Sequence, residues 1–342
     1  LVLQRRRKGR VGDEDASGWQ GAEEVRPLPG VLRAQAEVRA VRWGGGAVLA
    51  AAALALPHLL SVDRSLKASA VIVYAVLALS LVVLSGWAGQ VSLGQVAFFA
   101  IGAVVATKAN VDHDADLLVC LALAAAAGAV VAVLVGLPAL RRGGLHLAVM
   151  TFAFALATTS YLLNDRFFDW VPRSADRVER LPILGVVDYD SATGLYYVTL
   201  VGFALSVLAL RGIRRSRSGR VLLAIRENER GAEAYGVSPT RAKLTAFALS
   251  GALAAFAGGL FVHHQQSFGS GPYDPGQNFA VFTMAVIGGI GSIPGAVLGA
   301  VYLRGTQWFL PVEWQVLATG IGVLLVLLVL PHGLGGLLFR LR

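Results

Sequence analysis

The chain has 342 residues, of which 56% are hydrophobic and 15% charged, with a mean hydropathy of +0.64. A soluble domain carries charge at roughly a quarter of its positions. Here no Asp, Glu, Lys or Arg occurs in 68–107, 117–140, 143–163, 244–273, 275–303 or 314–339, and several of these gaps exceed the roughly 20 residues a helix needs to cross the hydrocarbon core. Composition therefore excludes a soluble globular chain. It predicts an all-α polytopic membrane protein with roughly nine or ten membrane helices. The net charge of +9 does not indicate a nucleic-acid partner: of the 30 basic residues, nine lie in 1–46 and nine in 211–243, as basic cytoplasmic segments of a membrane protein do. The single cysteine, Cys120, sits in an apolar run and is expected to be a packing residue.

Residues 1–46 read as a polar, basic cytoplasmic tail with a surface helix around Val31–Arg42, and 47–342 as the membrane domain. The chain opens on Leu rather than Met, so residue 1 is not taken as a native start. A first span is expected at Ala47–Val62, kinked at Pro57, then a turn at Asp63-Arg64-Ser65 with Lys67 snorkelling to the interface. Ala68–Ser85 is the second span, and 86–109 a third into which Gly and polar amides intrude. Asn110–Asp116 holds three Asp and no Lys or Arg and is placed outside; Leu117–Leu137 returns to Arg141-Arg142 inside, and Gly144–Leu163 leaves again. The polar segment Asn164–Gly194 should form a small external cap. Leu195–Leu210 and Leu244–His263 bracket the cytoplasmic stretch Arg211–Lys243, and 264–277 is a second external loop. Residues 278–310 should break into two short helices at Gly288–Pro294, because three Gly and one Pro in seven residues are poor helix interior. Such a broken or re-entrant element suits a substrate pathway. Val316–Leu330 is the last span, and Arg340 and Arg342 after it place both termini in the cytoplasm.

Chemistry of the catalytic kind is absent from this pattern. No G-x-x-x-x-G-K-[ST] phosphate loop, no H-E-x-x-H and no paired Cys occurs. His263-His264 is expected to snorkel at the outer interface, and His146 to be a hydrogen-bonded packing residue within a span. Gradient-driven transporters place ionisable groups in their spans, whereas these spans hold almost none. Energy for uphill transport would then arrive from outside the membrane domain. Gly86, Gly89, Gln90, Ser92, Gly94 and Gln95 are candidates for a translocation pathway, with backbone and amide groups free for a polar ligand; Gly288, Gly289, Gly291 and Ser292 form a second such group. The same glycines also suit close helix packing, as does Gly295-x-x-x-Gly299.

In Arg211–Lys243, eight Arg and one Lys stand against three Glu. Val221, Ala224, Ile225 and Ala232 recur at helical spacing and predict one short amphipathic helix over Val221–Tyr235. Gly236 fits its C-cap, and Ser238-Pro239 the N-cap and first turn of the next helix. A capped helix on the charged side suggests a docking element.

Four collinear blocks carry a resemblance: GWAGQVSLGQVAFFAIGAVVAT, LRRGGLHLAVMTFAFAL, SGRVLLAIRENERGAEAYGVSPTRAKLTAFALSGALAAFAGGL and VIGGIGSIPGAVLGAV, spanning roughly residues 66–335. They resemble permeases of branched-chain amino acid ABC importers of the LivM type. The resemblance implies a second permease subunit, two cytoplasmic ATPases that hold the ATP and Mg, and an extracytoplasmic binding protein, in a bacterial plasma membrane. No cofactor or metal is implied on this chain. It further implies that Arg226, Glu227, Asn228, Glu229, Ala232, Glu233, Ala234 and Gly236 lie in the ATPase-coupling segment. Gln95 departs from the His that many members carry after S-L-G, and urea or amide permeases share the architecture. An ATPase-independent channel or facilitator is the other alternative.

Overall fold

The computed structural model describes residues 36–140, 144–173, 175–269, 271–329 and 333–340. The expectations for 1–35, Arg141-Arg142 and Arg342 therefore lie outside the described residues. Among those described, the only extended pairings are two isolated bridges, Arg177–Ser267 and Ile183–Val187; the rest is helix, turn and loop.

Helix α1 runs without interruption over Ala36–Leu59, so residues 36–42 belong to the first apolar helix and not to a separate surface helix. Helix α2 begins at Val62 and continues to Leu81. The turn expected at Asp63-Arg64-Ser65 is thus displaced to Leu60-Ser61. Its charges start the helix instead of interrupting it. Asp63 occupies the first turn, where the helix dipole favours a carboxylate, and it pairs with Lys67 one turn on at 2.9 Å, so Lys67 does not snorkel alone.

A π-helical turn, Val82–Trp87, prolongs α2, and the chain is irregular from there until α3 starts at Gln95. Because α3 extends to His113, the expected Asn110–Asp116 loop shrinks to Asp114–Asp116. Asp114 closes α3 at φ 47°, and the Asp116 carboxylate accepts from Leu118 and Val119 at 2.7 and 3.3 Å to open α4, Leu117–Ala139. Helix α5, Leu145–Ala157, also ends in a π turn, Thr158–Leu162. Helices α6 (Ala192–Arg215), α7 (Arg217–Glu227), α8 (Glu229–Ala234) and α9 (Pro239–Gln265) follow. The remaining helices are α10 (Gln277–Gly288), α11 (Ile293–Phe309), α12 (Val312–Val329) and α13 (Gly333–Arg340). The break expected at Gly288–Pro294 is present as the four-residue turn between α10 and α11.

Among the described residues, five helical stretches are long and apolar enough to cross a membrane: Val62–Trp87, Leu117–Ala139, Leu145–Leu162, Ala192–Arg215 and Pro239–Gln265; Gly44–Leu59 and Gln277–Gly288 are apolar but shorter. Helices α2 and α9 occupy the centre. Lipid tails are as apolar as leucine, so no hydrophobic difference drives helices together in a membrane, and close backbone approach through small residues takes over. That is how α9 is held. A Cβ at Gly258 would lie 1.8 Å from the Phe99 carbonyl oxygen of α3, and one at Gly102 would lie 2.0 Å from that of Ala255. Gly128 of α4 faces Gly251 of α9 in the same way, at 2.4 Å. The other face of α4 leaves Leu118, Leu123, Val130, Leu134 and Leu137 exposed, as a lipid-facing surface would.

The polar segment Asn164–Gly194, expected to be an external cap, folds down onto this bundle. The Arg180 guanidinium donates to the carbonyls of His263 and His264, both at 3.0 Å, and to that of Asp190 at 2.8 Å, while Asn110 exchanges hydrogen bonds with the Glu179 backbone. His263 and His264 do not snorkel. His263 is 1% exposed with Nδ1 against the Gly259 carbonyl, and His264 reaches the Leu66 carbonyl through Nε2 while stacking on Phe261. The cap covers them, so the backbone of α2 and α9, not interfacial water, meets their rings. His146 does lie within the membrane-capable stretch Leu145–Leu162, but it is exposed in the first turn of α5 and is not the packing residue expected. Cys120 is buried beside the Ala115 carbonyl, as expected of a packing residue.

Gly258→Val should overpack the α3–α9 contact, at a cost of about 1–3 kcal/mol or more. Thermal unfolding of the detergent-solubilised protein reads this, and an unchanged midpoint would contradict the packing.

Candidate functional site

The basic stretch between α6 and α9 is built from two helices where one was expected. Ser216 closes α6 and opens α7, its Oγ accepting from Gly219 at 3.5 Å. Helix α7 then stops at Asn228, whose backbone is extended (φ −153°, ψ 96°) and whose Oδ1 accepts from Gly231 at 2.8 Å. An asparagine that competes for the backbone in this way makes a better N-cap than helix interior. The expected Val221–Tyr235 helix is divided there. The apolar stripe also turns: Leu222, Ile225 and Ala232 are buried, whereas Ala224 is exposed, because α7 lies against the π turn of α2 and against α9.

Gly236 does cap α8. At φ +80° it donates to the Glu233 carbonyl at 2.8 Å while Val237 donates to that of Ala232 at 3.1 Å, the paired bonds of a Schellman stop. Pro239 then opens α9 in its first turn, although the Ser238 side chain makes no capping bond. Glu229 is held by Lys243 at 2.7 Å. Glu227, Asn228, Glu229, Glu233, Ala234 and Gly236 are all exposed along one ridge. Tyr235, which the sequence did not single out, is 91% exposed at its tip. Beside the ridge, a groove of about 360 Å³ opens between α7 and the start of α9, lined by Arg217, Val221, Gly236 and Arg241 among others.

Arg226 points the opposite way, into the protein. Its Nη1 donates to the carbonyl of Gly86, at the end of the π turn. Burial lowers the pKa of this guanidinium, Glu227 opposes the shift and Arg214 adds to it. Gly89 (φ +67°) passes so close that a Cβ there would lie 3.2 Å from Arg226 Cγ. Trp87 donates from Nε1 to the Gly291 carbonyl at 3.4 Å, and a Cβ at Gly86 would lie 2.3 Å from the carbonyl oxygen of Ile290. Arg214 sits over the Trp87 ring at 5.8 Å. The two glycine-rich breaks, far apart in the chain, thus meet each other and α7 at one place.

Within the first break, the amides expected to be free are engaged inside the chain. Gln90 donates to the Ala88 carbonyl at 3.1 Å. Gln95, 1% exposed, accepts from Ser80 at 3.0 Å and donates to Ser250 at 3.1 Å, joining α2, α3 and α9. Ser92 Oγ accepts from the Gly94 amide at 3.3 Å, and a Cβ at Gly94 would lie 2.8 Å from the Thr151 carbonyl oxygen. The polar atoms in this segment serve each other because a broken helix in an apolar medium has no water to serve it. In the second break, Gly289 (φ +97°) turns the chain, and Ser292 caps α11 by accepting from Gly295 at 3.1 Å. A Cβ at Gly288 would lie 2.1 Å from the Gly295 carbonyl oxygen and one at Gly299 1.9 Å from that of Met284, so α10 and α11 form a backbone-tight hairpin.

Nothing in the local sequence sets Arg304 apart: it follows the charge-free run 275–303 inside the 278–310 segment. It lies inside α11 and is 6% exposed, the one buried Asp, Glu, Lys or Arg among the described residues. Its guanidinium stacks over Tyr74 at 4.0 Å and lies near Trp308 at 5.4 Å. Nη1 donates to Gln307 Oε1 at 2.9 Å and Nη2 to Gln277 Oε1 at 2.8 Å, while Nε is buried without a partner. Burying such a cation costs several kcal/mol, of which the ring contacts return about 1–2 kcal/mol.

Known proteins are similar to this chain in sequence. The family described as "Branched-chain amino acid transport system / permease component" matches residues 66–330. The high-affinity branched-chain amino acid transport system permease protein LivM of Salmonella typhimurium is 30% identical over 306 residues, covering 82% of this chain and 72% of that protein. LivM of Escherichia coli is 29% identical over the same coverage. The permease protein LivH of Salmonella typhimurium is 35% identical over 155 residues, 43% of this chain and 49% of that protein. No solved structure matches. With more than three quarters of its length matched and both broken-helix elements inside the match, the chain belongs to the branched-chain amino acid transport system permease family.

Proposed function

We propose that this chain is the membrane-spanning permease subunit of an ATP-driven importer that carries branched-chain amino acids into the cytoplasm. The observation that carries the mechanism is the Arg226–Gly86 bond: the exposed cytoplasmic ridge and the two broken-helix elements share a single junction. Residues 47–342 are the permease domain and 1–46 its cytoplasmic tail. The helices thread the bilayer alternately in about ten segments, with α10 and α11 as a broken pair. Arg214, Arg215, Arg217, Arg220, Arg230 and Arg241 then fall on the cytoplasmic side, as the positive-inside rule requires, and both termini lie there too. The setting is the plasma membrane of a bacterium.

Partner ATPases, two in the complex, hold ATP and Mg and seat on the ridge from Glu227 to Gly236. Its exposed carboxylates, the Tyr235 ring and the adjoining groove give a surface with both charge and apolar contact. When the ATPases close, the ridge moves. Arg226 carries that movement to the Gly86–Gln95 break and, through Trp87, to the Gly288–Ser292 turn. A charge-assisted bond to a carbonyl at a helix end is strong enough to transmit this push and short enough to reset. A second permease subunit completes the pathway, and an extracytoplasmic binding protein delivers substrate to the face formed by Asn164–Gly194 and 264–277. On that face a polar groove of about 230 Å³ is lined by Lys108, Asp112, Asp169 and Arg173 among others.

Gly236→Pro should abolish stimulation of the ATPases while membrane insertion stays intact, since proline cannot adopt φ +80°. Glu229→Arg, which sets like charge against Lys243, should do the same. Normal coupling in both would refute the docking surface. Arg226→Met should keep the ATPases bound and active but lower substrate imported per ATP about tenfold, equivalent to about 1.4 kcal/mol of lost coupling; an unchanged ratio would refute the junction. Conduction by the reconstituted chain without partners would favour a channel instead.

A further inference from the structure

We propose that Arg304 is a carboxylate-binding residue on the transport pathway, which holds the α-carboxylate of the amino acid as it passes between α2, α10 and α11. The proposal rests on the import reading above and names a substrate-contacting residue within it. Three features of the site point to a carboxylate. Arg304 is buried, and no carboxylate among the described residues lies within ion-pair distance of it, whereas the similarly buried Arg180 side chain has Asp190 beside it. Its two Nη contacts are neutral amide oxygens, from Gln277 and Gln307. Its Nε–H is buried and unpaired, and the edge formed by Nε and a neighbouring Nη is the fork that a carboxylate meets with both oxygens.

A merely structural role fits less well. If Arg304 served only to fasten three helices together, an apolar side chain of similar volume would do so without the desolvation penalty. The surroundings also suit the rest of the ligand. Tyr74 and Trp308 flank the guanidinium, and Phe99, Phe261 and Tyr273 extend the same aromatic cluster at centroid separations of 5.2–6.2 Å. An aliphatic side chain finds apolar contact there. The Tyr273 hydroxyl, buried and unpaired, is a polar group in reach of that cluster. Gln277 is the first residue of α10, directly after the external loop, so substrate released at the outer face meets this residue on entering the bundle.

The test uses the reconstituted importer, with its ATPases and saturating binding protein loaded with L-leucine, L-isoleucine or L-valine. Gln277→Glu places a carboxylate where Oε1 stands 2.8 Å from Arg304 Nη2 and so occupies the cation from within. Amino acid imported per ATP should fall at least tenfold, with the thermal midpoint kept or raised and the ATPase rate within twofold of wild type. Arg304→Gln should give the same fall in the ratio. If the latter does not assemble, Gln277→Glu decides alone. An unchanged ratio, or an equal fall in import and ATPase rate as a structural arginine would give, overturns the site while leaving the import reading in place. No ATP-driven uptake of any of the three by the wild-type complex overturns both.

Discussion

Every peptide group inside a bilayer must be paired within the protein, because no water is there to serve it. A membrane chain that stays helical throughout meets this condition locally. This one does not, since it interrupts its helices at 88–94 and 289–292. Each interruption strands donors and acceptors, and each is answered by a group from elsewhere: Arg226 for the Gly86 carbonyl, Thr151 for the Leu93 amide, Asn278 for the Val96 amide, and Trp87 for the Gly291 carbonyl. Most of what lies around the breaks is arranged by that requirement, and it is why α7 is bonded directly to the end of the π turn.

Glycine serves two different ends here. At Gly86, Gly102, Gly258 and Gly299 it lets one backbone touch another, with no room for a Cβ. Dispersion at such short range is what holds helices together where the hydrophobic effect is spent. At Gly236 and Gly289 it supplies a positive φ that turns the chain. The first group fixes the bundle around α9, and the second fixes the ridge and the hairpin tip. Gln95 belongs with the first group: its buried bonds to Ser80 and Ser250 stitch three helices, and losing them would leave polar groups stranded at a cost of about 1–3 kcal/mol each.

The long apolar runs, the break near Gly288, the Gly236 stop and the polar, basic stretch between two apolar helices were legible from residue pattern, because each follows from local rules. Charge sets spans, Gly and Pro break helices, and a left-handed residue ends one. Errors arose where a residue's partner was distant or its role ambiguous. Asp63 looked like part of a turn but opens a helix, and Asn228 looked like helix surface but divides it. His263 and His264 looked interfacial until the Arg180-fastened cap covered them. Arg304 drew no reading at all, since nothing in its neighbours shows that Tyr74 lies 4.0 Å away.

The sequence by itself determined that this is a helical membrane protein, where its longest basic segment between apolar runs lies, and, through four collinear blocks, its family. Those are properties of composition, periodicity and short-range steric preference. Only the tertiary structure decided that Gly86, Gly291 and Arg226 share one junction, that the Gln95 amide is spent inside the bundle, and that one arginine is buried among aromatic rings with a donor to spare. These depend on which backbones can approach without a Cβ between them, and that is settled by how the helices cross, not by what any one of them contains.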